Sequence, residues 1–216
     1  MPSYSPLPFP AACAPAVAIL LAAGQGARYA AQVPGADKLM TRLPDGRPVA
    51  AASAATLRTA VGEVLAVLRP GRDTLAGVLR EQGCEILVAE AATQGMGASL
   101  AAAARHLLSR HGHAAAPAVL VALADMPWIR PATCQALLRA CAAGQIAAAS
   151  HQGRRGHPVA FPAACLPELA TLGGDTGARA LLQRHGCLEL ELDDPGVLRD
   201  IDIPCDIPAA RAPLAT

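Results

Sequence analysis

Aromatic residues are scarce in this chain: its 216 residues include one Trp, two Tyr and two Phe. The core must therefore be built from Ala, Leu, Val and Ile. An excess of either charge is also missing. Lys and Arg number 18 against 17 Asp and Glu, and the cations are scattered along the chain. That pattern argues against a nucleic-acid partner. There is no Cys-x-x-Cys pair, and the seven cysteines (13, 84, 134, 141, 165, 187 and 205) show no metal-ligand spacing. An odd set of this kind reads as reduced, mostly buried thiols in a cytoplasmic protein. Cys134 and Cys141, seven apart on a predicted helix, read as one core-facing stripe. No basic residue precedes the first apolar run, which passes straight into a glycine-rich turn. The expectation is neither a signal peptide nor a membrane span.

What is present points to a globular α/β protein. Hydrophobic residues make up 53% and charged residues 16%, a balance that supports a sizeable core. The Pro-rich residues 1–15 are expected to form a loose arm, and 16–216 a single domain. Strand-like apolar runs fall at Val17–Leu21, Glu63–Leu68, Glu85–Ala89, Ala118–Ala124, Ile146–Ser150 and Leu188–Leu192. Helical stretches lie between and after them, at Val49–Thr59, Thr74–Glu81, Ser99–Ser109, Pro131–Ala142 and Thr176–Arg184. Asp73 is placed to cap the second helix and Pro131 to open the fourth. This alternation predicts a layered fold with a mostly parallel central sheet and right-handed crossovers.

Val17–Leu21 has no polar alternation, as expected of a strand buried on both faces. It ends in Ala22-Ala23-Gly24-Gln25-Gly26, with Arg28 and Lys38 beyond. Glycines free the backbone N–H groups of such a turn, and with two cations the set suits nucleotide phosphates. Ligands of parallel sheets gather beyond the carboxyl ends of the strands. The apolar run at 118–124 ends there in Asp125-Met126-Pro127. A carboxylate at that point is a good metal ligand, although Asp is also a common turn former.

Four more segments look unlike ordinary connectors. Gly95-Met96-Gly97-Ala98-Ser99 leads into a helix. Arg154-Arg155-Gly156-His157-Pro158 reads as a compact basic turn. Gly173–Arg179 (GGDTGAR) is a second glycine-rich approach to a helix, with Asp175 as a partial cap. Asp200-Ile201-Asp202 puts two carboxylates on one face if it is extended. Each has a plain alternative: loop glycines, a solvated Arg154, a structural turn histidine at 157. His111-Gly112-His113 resembles a metal pair but has no third ligand and reads as a surface loop. Taken together the segments supply carboxylates, cations and N–H-rich turns, which is what a metal–nucleotide site requires.

The ordered set LAAGQGAR…K, GMGASL, LADMP, RRGHPVAF, GGDTGAR and DIDIP resembles the MobA/MocA-type nucleotidyltransferases. The likeness is greatest to their molybdenum cofactor cytidylyltransferase branch and runs from about Ile19 to Ile207. The resemblance implies a Rossmann-like three-layer nucleotidyltransferase fold. It also implies a Mg²⁺-dependent enzyme, with Mn²⁺ as a substitute, that transfers CMP from CTP to the phosphate of molybdopterin and releases pyrophosphate. By the same resemblance Ala22, Ala23, Gly24, Gly26, Gly95, Gly97 and Ser99 bind the nucleotide. Arg28 and Lys38 act on its phosphates, and Asp125 and Asp202 hold the metal. Arg155, His157, Asp175 and Arg179 line the acceptor side, and the product goes to a molybdenum hydroxylase. Ala22-Ala23 favours cytosine, where guanylyltransferases more often carry an extra glycine. The chain departs from the family pattern at Tyr29-Ala30, Ala98, Ala124 and Ile203, and in the ten-residue step from Arg28 to Lys38. No departure removes a charge from the site.

Other readings stay open on the residues alone. Gly24–Ala30 also fits GxGxxA, the turn of nicotinamide-dependent oxidoreductases. The acid that would bind the ribose there is Asp45, which sits in a turn rather than at a strand end. A carrier of the finished cofactor would not need both Asp125 and Asp202. Another NTP, such as GTP, or another small acceptor fits the same motifs.

Overall fold

The computed structural model describes residues 16–112 and 117–208; the expected arm, Cys13 and His113 lie outside the described residues. Seven strands form one sheet: β1 (Ala16–Leu21), β2 (Val64–Leu68), β3 (Glu85–Val88), β4 (Ala118–Leu123), β5 (Ala147–His151), β6 (Arg154–Phe161) and β7 (Leu188–Glu191), in the order β3-β2-β1-β4-β6-β5-β7. Every pairing is parallel except the two made by β6, which runs against β4 and β5. The helices are α1 (Ala27–Gln32), α2 (Val49–Val61), α3 (Asp73–Glu81), α4 (Met96–His111), α5 (Pro131–Cys141), α6 (Leu166–Leu169) and α7 (Arg179–His185).

The period-two geometry of β1 divides the core in two. Ala18, Leu20 and Ala22 pack toward Leu57 of α2, Leu75 and Leu79 of α3 and Leu137 of α5. Val17, Ile19 and Leu21 pack toward Leu100 and Leu107 of α4, with Leu166 and Leu181. Both faces of the sheet are thus covered, giving the expected three-layer α/β fold. Where large aromatics are absent, close packing is reached with Ala-rich helix faces such as Ala98, Ala101, Ala103 and Ala104 of α4, each at most 5% exposed.

The structure corrects several local expectations. Arg154–Phe161 is not a turn but strand β6. Its exposed arginines, Gly156 and Pro158 hide the strand pattern, and pairing on both sides supplies the order instead. Asp73 is the first residue of α3, and Arg72 holds the cap position without a side-chain bond. The helix expected from Thr176 begins only at Arg179, so Asp175 is not its cap. Short α1 and α6 were not expected; α1 begins directly after Gly26, whose φ of 62° needs glycine. His111 closes α4 rather than lying in a loop.

Cys134 and Cys141 do face the same core. Burial pushes the thiols of Cys84 and Cys141 up to about 11 and that of Cys134 to about 12, whereas Cys205 is exposed. Only the thiolate reacts. Iodoacetamide at pH 8 should therefore modify Cys205 and spare Cys84, Cys134 and Cys141 in the native protein, as read by peptide mass spectrometry.

The turn before Asp200 is held by close backbone contact. Asp194 is buried and accepts from Thr133 Oγ1 (2.6 Å), Arg130 N (2.9 Å) and Gly196 N (3.0 Å). A Cβ at Gly196 would collide with the Trp128 carbonyl. Gly196→Ala should lower stability by about 1–3 kcal/mol in urea unfolding, as overpacking does.

Candidate active site

The site forms where the carboxyl ends of β1, β2, β3 and β4 meet, the position expected of a doubly wound sheet. A cavity of about 480 Å³ opens there, walled by Gly24, Lys38, Gly95, Ser99, Asp125 and Asp175 among others. β1 delivers the glycine turn, and β4 delivers Asp125. The backbone just before Asp125 is held by α2, where Ser53 Oγ donates to the Ala124 carbonyl at 2.9 Å.

Three carboxylates converge at one edge of this cavity, where Asp125 lines it. One oxygen from each of Asp125, Asp200 and Asp202 lies within 4.8 Å of the others. Ile201 N donates to the Asp125 carbonyl (3.0 Å), docking the segment beside β4. Ile201 itself is fully buried, so Asp200 and Asp202 both turn outward, as their alternation predicted. Asp206 Oδ2 accepts from the backbone N–H of Asp202 and Ile203, both at 2.8 Å, which fixes the turn.

Two cations answer these charges. Lys38, the only lysine in the chain, places Nζ 2.7 Å from Asp125 Oδ2 and 3.4 Å from Asp202 Oδ1. Arg28 reaches Asp202 Oδ2 at 2.6 Å from an exposed position. Partial burial pushes the Asp202 carboxyl up, but the Arg28 hydrogen bond and the Lys38 charge outweigh it and hold the group below its usual range. The long step from Arg28 to Lys38 is taken up by a turn in which Ala36 N donates to Val33 O. Lys38 then opens a short 3-10 turn capped by Asp37, whose Oδ1 accepts from Leu39 N (3.1 Å) while Oδ2 pairs with Arg72.

A divalent cation fits this donor set. The Asp125 Oδ1 atom is buried without a hydrogen-bond partner among the described residues. An orphaned carboxylate oxygen beside two further carboxylates matches the oxygen ligands that hard cations take. Asp200 completes the group, although the family resemblance implied only Asp125 and Asp202 as ligands. The i, i+2 spacing was the signal for it.

The remaining predicted residues are distributed unevenly. Ala23 and Gly24 line the main cavity, while Ala22 is buried with its N–H bonded to the Val67 carbonyl. Gly26 lines a smaller adjoining cavity. Ser99 lines the main cavity, yet its hydroxyl donates to the Gly95 carbonyl at 2.9 Å and so holds the 90–95 turn. Gly97 N is taken by the Gly174 carbonyl at 2.8 Å. This bond joins two segments expected on opposite sides of the site. A Cβ at Gly95 would strike the Asp175 carboxylate, so Asp175 stands in the wall of the main cavity.

His157 lies under the charges of Asp125 and Asp200. Desolvation nevertheless lowers its pKa, and its Nδ1 is buried without a partner among the described residues. Arg155 pairs loosely with Glu189 on β7 (3.4 Å), and Arg179 is exposed at the start of α7. Neither Arg155 nor Arg179 lines the main cavity.

Known proteins share this fold. The structure of Rv0371c from Mycobacterium tuberculosis H37Rv is 27% identical, with a TM-score of 0.74 over 90% of this chain and 96% of that one. The structure of Rv0371c in complex with manganese is 24% identical, with a TM-score of 0.65 over 88% and 95% of the two chains. A nucleotidyl transferase from Methanothermobacter thermautotrophicus, Mth528, shares the fold at 21% identity, with a TM-score of 0.72 over 88% and 93%. No curated protein matches the chain. The MobA-like NTP transferase domain matches residues 18–189, most of the chain. The protein accordingly belongs to the MobA-like NTP transferase family and is a nucleotidyltransferase.

Proposed function

We propose that this protein is a divalent-cation-dependent cytidylyltransferase of cytoplasmic cofactor synthesis, moving CMP from CTP to the phosphate of molybdopterin. The observation that carries the reading is the meeting of Asp125, Asp200 and Asp202 with Lys38 and Arg28, beside a nucleotide-sized cavity that Asp125 and Lys38 line. Such a site needs no nucleophilic side chain, because phosphoryl chemistry depends on placement and charge neutralisation. An oxygen of the acceptor phosphate bonds to the α-phosphorus. The bond to the bridging oxygen breaks, and its electron pair leaves with pyrophosphate.

The three carboxylates would hold the cation, Mg²⁺ in the first place and Mn²⁺ as an alternative; the manganese complex of Rv0371c favours the class. When bound, the ion supplies positive charge to the phosphate oxygens. On nucleotide binding Lys38 and Arg28 would turn from their carboxylate partners to those phosphates, Lys38 from the cavity wall and Arg28 from its exposed position beside Asp202. Ala23, Gly24 and the Gly95 turn give the base and ribose a close backbone wall. Asp175, in the same wall, serves the nucleotide side by this geometry. His157, beside the carboxylates, is left as the best placed of the predicted acceptor-side residues. Cytosine is favoured by Ala22-Ala23, and molybdopterin by the motif set. A molybdenum hydroxylase would receive the product.

The oxidoreductase alternative loses support at β2. A nicotinamide site requires an acid near the end of that strand, and Arg69 follows Leu68 there. Asp45 is instead paired with Arg47 within its own turn.

With purified protein, Mg²⁺ and molybdopterin, pyrophosphate should be released from CTP and not from GTP or ATP. Release from none of them, with tight NADPH binding, would reverse the assignment. Asp125→Ala should lower the rate by about 10²–10³, as loss of one key electrostatic group does, with an unchanged thermal midpoint. An Asp125→Ala enzyme of near wild-type rate would contradict the carboxylate reading. Asp200→Asn should weaken Mn²⁺ binding in calorimetry, and unchanged affinity would remove Asp200 from the ligand set.

A further inference from the structure

The charged residues in the wall of the main cavity, among the described residues, are Lys38, Asp125 and Asp175. Lys38 and Asp125 pair with each other at 2.7 Å. The Asp175 carboxylate takes part in no hydrogen bond and no ion pair among the described residues. Its loop is held by backbone contact. Gly97 N and Ala98 N, in the first turn of α4, donate to the Gly174 carbonyl at 2.8 and 3.3 Å. A Cβ at Gly97 would strike the carbonyl oxygens of Gly173 and Gly174, and one at Gly95 would strike the Asp175 carboxylate. Gly95 also has a φ of 126°, which favours glycine. The loop is thus seated closely on the start of α4, and the acceptor atoms of Asp175 are left without a donor.

That placement limits what Asp175 can meet. A carboxylate only accepts hydrogen bonds, and its charge repels the phosphates of a nucleotide. With the phosphates at Lys38 and Asp125, the base lies along the Gly95 turn, the part of the wall that Asp175 touches. Met96, 41% exposed, lines the same cavity and offers a polarizable apolar surface to the face of a ring. Cytosine presents an amino donor at its position 4, where uracil, like thymine, presents a carbonyl acceptor. A carboxylate facing the first gains a hydrogen bond; facing the second it meets another acceptor. A site built to pair with one polar group rejects the analogue lacking it far better than shape alone does.

We infer that Asp175 is a specificity residue that reads the base, its carboxylate accepting a hydrogen bond from the exocyclic amino group of cytosine. The inference rests on the cytidylyltransferase reading and adds to it the rejection of uridine nucleotides. Asp175 makes and breaks no covalent bond. Its selectivity therefore shows in nucleotide affinity before any acceptor is present.

Calorimetry with the full chain and Mg²⁺ tests this, using CTP, UTP and dCTP as separate probes and no acceptor. The wild-type protein should bind CTP about 10- to 100-fold more tightly than UTP, the range for a hydrogen bond to a charged group. Asp175→Asn should remove most of that preference, because its amide can donate to the uracil carbonyl. Asp175→Ala should weaken CTP and leave UTP unchanged or tighter. An unchanged ratio of CTP to UTP affinity in either variant would overturn the inference. So would equal weakening of CTP and UTP with dCTP spared, which would put the carboxylate on a ribose hydroxyl instead. Should one variant fail to fold, the other carries the same comparison. Pyrophosphate release from CTP by the wild-type protein with molybdopterin decides the proposed function separately. Turnover of CTP with an unchanged ratio in Asp175→Asn rejects the base-reading role alone, and absence of CTP binding by the wild-type protein overturns both.

Discussion

The ammonium of Lys38 lies between two carboxylates, and the architecture of the site depends on that placement. One oxygen from each of Asp125, Asp200 and Asp202 lies within 4.8 Å of the others, and like charges this close repel. Lys38 lies within reach of Asp125 and Asp202, and Arg28 takes the outer oxygen of Asp202. The lysine side chain is only 11% exposed, so its charge is poorly screened by water. Cation and carboxylates thus attract one another and offset the repulsion within the acidic group.

Much of the surrounding structure serves to keep those charged groups in place. Asp37 caps the turn that carries Lys38, and Arg72 in turn holds Asp37. Ser53 fixes the carbonyl before Asp125, while Asp206 fixes the backbone of Asp202 and Ile203. Farther out, Asp194 ties the turn before Asp200 to the start of α5, and Arg199 lies over the Trp128 ring at 4.2 Å. Side chains of ordinary polarity do this work through short bonds to backbone atoms. Geometry at a site is set by such supports as much as by the groups that meet substrate.

Both the sheet and the motif set were legible in the residues. The uninterrupted runs of β1, β2 and β4 announce strands covered on both sides, and their order among helical stretches announces a layered α/β fold. β6 was not legible, because Arg154, Arg155, Gly156 and Pro158 carry no strand pattern and its order comes from β4 and β5. Asp125 stood out at its strand end and Asp200 and Asp202 as an alternating pair, of which the family resemblance marked only Asp202 as a ligand. Asp175 was recognised as unusual, but its place against Gly95 in the wall of the main cavity was not legible, because the two are distant in sequence and meet through two loops.

The sequence by itself determined which segments are buried on both faces, where the glycine turn must fall, and which carboxylates and cations are available for a nucleotide. Periodicity, turn chemistry and residue type act locally, so they can be read along the chain. Only the tertiary structure decided which charges meet. Lys38 and Asp125 are 87 residues apart and Lys38 and Asp202 are 164 apart, and the crossovers of the sheet bring them within hydrogen-bond distance. The same folding separated Arg155 and Arg179 from the cavity and moved Asp175 into its wall. The opening turn, which alone suits a dinucleotide or a triphosphate, acquires its meaning from carboxylates that reach it through space.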